Sequence, residues 1–223
     1  TGQTSRVSVD SAGVQGDSIS WFPAISADGR YVAFESYATN FEFGDTNGFE
    51  DAFVHDLQTR QTSRVSVDSA GAQASRGGFA ASISGDGRYV TISSASILVP
   101  GDTNGETDAY VHDRMTGQTS RVSMDSAGMQ GNDQSDSPYI SVDGRFVAFR
   151  SYASNLVPGD TNDLQDIFVH DRFTGQTSRV SVDSAGVQGN SVSGAPSISA
   201  DGRFVAFESD ADNLVSGDTN GDM

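Results

Sequence analysis

Apolar and polar residues alternate with a period of two in short runs along this chain, and no stretch shows the three-and-four spacing of an amphipathic helix. In RVSVD and its copies, Val7 and Val9, Val65 and Val67, Val122 and Met124, and Val180 and Val182 alternate with polar neighbours, which predicts a half-buried strand. A second kind of run is apolar without alternation: YVAF at 31–34 and its copies, which suits a strand covered on both faces. Before each such run stands Asp-Gly, at 28–29, 86–87, 143–144 and 201–202, with another short apolar run ahead of it. The pair predicts a hairpin closed by a tight primed turn that needs positive φ. FVHD at 53–56 and its copies predict one strand more.

These runs repeat. TSRVSVDSAG or its near copy begins at 4, 62, 119 and 177, so the spacings are 58, 57 and 58 residues. Each period holds four predicted strands: the run before Asp-Gly, the run after it, DAFVHD, and TSRVSVD. Four-stranded antiparallel units of even period, each too thin to bury its own faces, stack about an axis as propeller blades. The expectation is an all-β β-propeller, or a propeller segment, of about four 58-residue blades in one domain over 1–223. Its repeats run over 4–61, 62–118, 119–176 and a truncated 177–223.

Composition narrows the function. With 30 acidic against 13 basic residues, a net charge of -17 and no lysine, the chain repels phosphate backbones and anionic bilayers, so nucleic acid is not an expected partner. No apolar run is long enough to span a bilayer as a helix. The absence of cysteine excludes disulfides and thiolate metal sites. Arginines recur at two fixed positions, Arg6, Arg64, Arg121 and Arg179 on one predicted strand and Arg30, Arg88, Arg145 and Arg203 after the Asp-Gly turn, and are expected to pair with nearby aspartates.

The third repeated block, PGDTNGETDAYVHDR at 100–114, carries the candidate chemistry. Asp102, Asn104 and Asp108 stand at relative positions 1, 3 and 7 around Gly105, and hard oxygen ligands on alternate residues of a tight loop suit Ca²⁺. The copies are Asp45, Asn47 and Asp51; Asp160, Asn162 and Asp166; and Asp218 with Asn220. The spacing is not that of an EF-hand, and the same residue types also build plain turns. The expectation carried forward is calcium as cofactor. His55, His112 and His170, each followed by Asp, occupy one equivalent position per repeat, and no GxSxG elbow is present, so they predict a repeated structural hydrogen bond rather than catalysis.

The ISADGRYVAFES block followed by DAFVHDRxTGQTSRVS resembles the PD40 repeat of TolB-like β-propellers over essentially the whole chain. The resemblance implies that the first strand of each blade lines a central channel, in propellers that commonly have six or seven blades. It also implies that the divergent segments before the first strand, GDSISWFP at 16, ASRGGFAA at 74, GNDQSDSP at 131 and GNSVSGAP at 189, lie near the channel mouth. Trp21, Phe22 and Phe79 fall in these segments as candidate ligand-binding residues able to stack on a sugar or a peptide, unless they pack between blades.

The sequence therefore supports a non-enzymatic, extracellular or periplasmic, calcium-binding propeller acting as a structural or self-assembling scaffold. The alternatives are a ligand- or protein-binding module, with a protein or glycan as partner, and the accessory propeller of a larger exported enzyme. TSRVSVD at 4–10 is expected to be a strand without a blade of its own, which predicts self-association or a longer parent chain.

Overall fold

The computed structural model describes residues 2–218, and among these every regular element is a β-strand. The first sheet comprises β1 (Ser20–Ile25), β2 (Tyr31–Ser36), β3 (Asp51–Asp56) and β4 (Thr62–Arg64). The second comprises β5 (Phe79–Ile83), β6 (Tyr89–Ser94), β7 (Asp108–Asp113) and β8 (Gln118–Arg121). The third comprises β9 (Ser135–Ile140), β10 (Phe146–Ser151), β11 (Asp166–Asp171) and β12 (Gln176–Arg179). Each is an antiparallel meander in chain order, and β13 (Ser193–Ile198) with β14 (Val205–Ser209) forms a two-stranded sheet. This is the strand order expected of successive propeller blades; among the described residues the sheets do not close into a ring.

Burial follows the apolar pattern. The second and third strands have no polar face to spare, and β3 and β7 are buried at every position. One core lies between the first two sheets, where Val54 and Val65 meet Ile83, Val90 and Ile92. The next lies between the second and third, where Val111 and Val122 meet Ile140, Val147 and Phe149. The first strand of the third sheet lies against the second sheet: the Ile140 amide donates to Ser82 Oγ of β5 at 3.2 Å, and the Ser137 amide to Ser93 Oγ of β6 at 3.2 Å.

Three local expectations change. The fourth strand ends at the arginine, because the SVDSAG segment that follows curls into a loop in which Asp68 accepts the amides of Ala70 and Ala72, each at 2.8 Å. Residues 4–10 form no strand; the one ladder contact there is the Val9–Gln15 bridge, whereas the equivalent segments each lie beside a DAFVHD-type strand. The Asp-Gly hairpin is not a primed two-residue turn either. The Gly29 amide donates to Ser26 O and only the glycine has positive φ, so the chain makes an ordinary turn followed by a left-handed residue.

The same glycines govern how sheets meet. A Cβ on Gly87, at φ +71°, would stand inside the Tyr31 ring of the preceding sheet. That ring cannot retreat, because the guanidinium carbons of Arg30 and Arg114 lie 4.7 and 4.5 Å from its centroid. Gly144 against Tyr89 and Gly202 against Phe146 repeat the contact. Behind each turn, Arg30, Arg88 and Arg145 clasp Asp56, Asp113 and Asp171 with two hydrogen bonds each. The guanidinium holds each of these carboxyls well below the ordinary aspartate range.

Two outcomes follow for stability. Gly87→Ala should cost about 3 kcal/mol in urea unfolding, from left-handed strain plus the lost ring contact, whereas Gly105→Ala, left-handed but in open space, should cost about 1 kcal/mol. Because the clasped aspartates have depressed values when folded, their contribution is complete above the unfolded aspartate range and disappears as pH falls through the folded values. Asp113→Asn should therefore lower the urea midpoint at pH 7 and leave it unchanged under strongly acidic conditions.

Candidate functional site

The DTN loops bring together a buried, repeated polar cluster. In the second sheet, Asp102 from the loop and Asp108 from the start of β7 converge on the Gln130 amide, which donates to both at 3.0 and 3.1 Å. Arg121, at the end of β8, lies 3.9 and 3.5 Å from the same two carboxylates, and the Ser123 hydroxyl donates to Asp108 at 2.6 Å. The arrangement recurs with Asp45, Asp51, Arg64 and Gln73, and with Asp160, Asp166, Arg179 and Gln188. Burial raises the pKa of Asp51, Asp108 and Asp160, and the serine, glutamine and arginine neighbours oppose that shift.

The donor set does not fit calcium as arranged. The counter-ion between the carboxylates is a guanidinium from the TSR strand. The asparagines turn their carbonyl oxygens away from the cluster: Asn47, Asn104 and Asn162 accept the amides of Phe49, Glu106 and Leu164, and donate to the carbonyls of Ala74, Gly131 and Gly189. A calcium ion needs six to eight oxygens and would have to displace both the arginine and the glutamine. Among the described residues no three His, Asp or Glu side chains gather as a metal site. Asp218 lies at the edge of the described chain, and Asn220 lies outside the described residues. Each cluster ties a loop to the next VDSAG segment, because that segment carries the glutamine.

The histidines sit on three separate sheets. His55, His112 and His170 Nδ1 lie 2.8, 2.9 and 2.9 Å from the hydroxyls of Thr62, Thr119 and Thr177. Those hydroxyls donate to the carbonyls of Val9, Val67 and Met124, so Nδ1 carries the proton and each threonine relays the bond to the preceding repeat. Burial lowers all three imidazole pKa values.

A different place concentrates the side chains that the repeats do not share. A cavity of about 360 Å³ opens where the leading ends of β1, β5 and β9 converge, walled by Phe22 and Glu35 from the first sheet, Phe79 from the second, and Asp136, Tyr139 and Arg150 from the third. Two of the sequence-predicted aromatics, Phe22 and Phe79, therefore meet here, 69% and 44% exposed. Trp21 is half-buried beside them; its indole packs edge-on to Tyr37 and donates to Glu35 Oε2 at 3.1 Å. The first strands are bulged at this level. Phe22, Ser137 and Ala195 have φ of 46°, 50° and 45°, a left-handed conformation costly for residues with a Cβ, at the register shifts of β1, β9 and β13.

Glu35, Asp136, Tyr139 and Arg150 were not among the residues singled out from sequence. The signal was present: the cross-strand pairs Trp21–Glu35, Phe79–Ser93, Asp136–Arg150 and Gly194–Glu208 differ in every repeat, while the flanking GRYVAF-type residues scarcely change. Asp136 and Arg150 form an ion pair within the cavity wall.

No protein-family model matches the chain, and no curated protein matches it. Among solved structures it is similar to TolB from Acinetobacter baumannii, with a TM-score of 0.54 and 21% identity, covering 85% of this chain and 37% of that one. It is also similar to a putative TolB from Agrobacterium tumefaciens, with a TM-score of 0.52 and 16% identity, covering 87% of this chain and 71% of that one. The chain thus spans well under half of the first and most of the second. At these identities the likeness shows the fold, a TolB-like β-propeller.

If the arginine is the cation of each cluster, Arg121→Met leaves two buried carboxylates uncompensated and should cost about 3 kcal/mol. Thermal melts of the unaltered protein in calcium and in chelator should superimpose. A melting temperature that rises with calcium and falls with chelator would overturn the assignment of the guanidinium as counter-ion.

Proposed function

We propose that this chain is a non-catalytic binding module whose ligand enters the cavity at the leading ends of β1, β5 and β9. The observation that carries the reading is the placement of repeat-to-repeat difference. The clusters, clasps and glycine contacts that build the sheets recur nearly unchanged, yet the cavity wall combines aromatic, acidic, basic and amide side chains drawn from three sheets. Its volume lies in the range of small-ligand sites, roughly 300–1,000 Å³. The exposed rings of Phe22 and Phe79 supply apolar faces to a partner. Phe22 and Phe79 stand on strands β1 and β5 rather than on loops, which favours a site ordered before a ligand arrives.

A calcium-dependent, self-assembling scaffold, the other reading of the sequence, gives this cavity no role, and its intended metal loops are already charge-compensated by arginine. The sugar or peptide expected from the aromatics corresponds to the chemistry of the wall, which pairs flat apolar surface with hydrogen-bonding groups.

Trp21 is the only tryptophan and touches Glu35 in the wall, so its fluorescence reports on the cavity. Screening short blocked peptides and mono- and disaccharides by this signal should yield ligands whose affinity falls about tenfold in Phe22→Ala and in Phe79→Ala, the loss of one stacking face. Both rings are exposed, so the melting temperature should stay within a few degrees of the unaltered protein. A screen in which no compound perturbs Trp21 overturns the binding reading.

A further inference from the structure

One acid in the cavity wall, with a second packed against it, forms no ion pair among the described residues. Glu35, on β2, lines the cavity, and Glu50, just ahead of β3, lies against it; both are only 5% exposed. The Trp21 indole donates to Glu35 Oε2 at 3.1 Å, and Glu50 Oε1 has no hydrogen-bond partner among the described residues. Elsewhere in the described chain the buried aspartates each have a guanidinium beside them, Asp51 with Arg64, Asp108 with Arg121 and Asp166 with Arg179. Arg150 shares the cavity but is held by Asp136.

We propose that the Glu35–Glu50 pair is the anchor for an organic cation, an ammonium or guanidinium group carried on a peptide ligand, with the Phe22 and Phe79 rings covering its aliphatic stem. This rests on the cavity being a binding site and names what the site takes. Three observations carry it. A buried carboxyl pair costs stability unless something offsets it, and the folded chain supplies one indole N–H. The pair is not needed to build a sheet: in the other four-stranded sheets the equivalents of Glu35 are Ser93 and Arg150 and those of Glu50 are Thr107 and Gln165, while the two-stranded sheet keeps a glutamate, Glu208, at the first position alone. The exposed aromatic faces beside it add attraction for a cation and cover for a hydrocarbon chain.

A metal ion suits the place less well, since two carboxylates fall short of the oxygen shell that calcium requires. The charged groups facing Glu35 are Glu50 from its own sheet and the Asp136–Arg150 pair from the third. Burial, reinforced by Glu50, raises the pKa of the Glu35 carboxyl, and burial raises that of Glu50 as well, so a cation seated here offsets a desolvation cost that the fold has not met. The net charge of -17 draws cations toward the whole molecule.

The test uses blocked tripeptides Gly-X-Gly, with X lysine, arginine or norleucine, titrated against the full chain while Trp21 fluorescence is followed, with calcium chloride as a separate arm. The lysine or arginine peptide should half-saturate at a concentration about tenfold below the norleucine peptide, and the better of the two identifies ammonium or guanidinium as the anchored group. Glu35→Gln should abolish that preference while keeping or raising the melting temperature, since it removes a buried acid. Equal binding of norleucine and lysine peptides, or a preference that survives Glu35→Gln, overturns the proposal while leaving the cavity a binding site. A calcium response of the same size as the peptide response also overturns it. Silence toward every peptide and sugar would instead sink the binding reading on which the proposal rests.

Discussion

The structure depends on one constraint: the second and third strands of each four-stranded sheet are buried on both faces, so no such sheet is stable alone. Ala52, Phe53 and Val54 are buried from both sides, as are Ala109, Tyr110 and Val111. At roughly 25 cal/mol per Å² of apolar surface, leaving one face of such strands in water outweighs any hydrogen bond within the sheet. Stacking is therefore obligatory, and every recurring polar device in the chain secures the stacking or the turns that permit it. The Gly87–Tyr31 contact fixes how close neighbouring sheets come. The His–Thr–carbonyl relays and the Asp–Arg–Gln clusters tie one repeat to the loop of the next, so the chemistry that looks like a site in each repeat is the jointing of the scaffold.

The DTN loops are held by a cation that the chain itself supplies. Their carboxylates converge on an arginine from the adjacent strand of the same sheet. A guanidinium supplied by the chain costs no ligand-binding entropy and comes with its own strand, so the cluster forms whenever the sheet forms. The desolvation of two aspartates is offset by one charge, one amide and one hydroxyl, which leaves the carboxyls with raised affinity for protons but paired.

The cavity is the converse case. It departs from local economy: non-glycine residues in left-handed bulges, an exposed phenylalanine pair, and a buried Glu35 in the wall with a buried Glu50 against it. Strain and uncompensated charge survive in a folded protein when the surrounding structure over-determines them, and here near-identical strands on either side do so. Such positions are where a partner can repay what the fold has not.

By itself the sequence determined the strand order, the hairpins and the sheet class. These follow from local rules: alternation, apolar runs and the punctuation of Asp-Gly act within a few residues, and four copies of each signal reinforce one another. It also marked Phe22 and Phe79, because loss of the repeat pattern shows as a string of letters. What it did not reveal was who partners whom across the fold. Gln73, Gln130 and Gln188 look like turn residues until the VDSAG loop folds back and delivers their amides to aspartates 22 and 28 positions earlier. Glu35 and Glu50 lie 15 residues apart with a loop between them, and only pairing of β2 with β3 brings them together. Tertiary structure decided these matters because the energy of a charge is set by the neighbours and dielectric around it, and neither is a property of the local sequence.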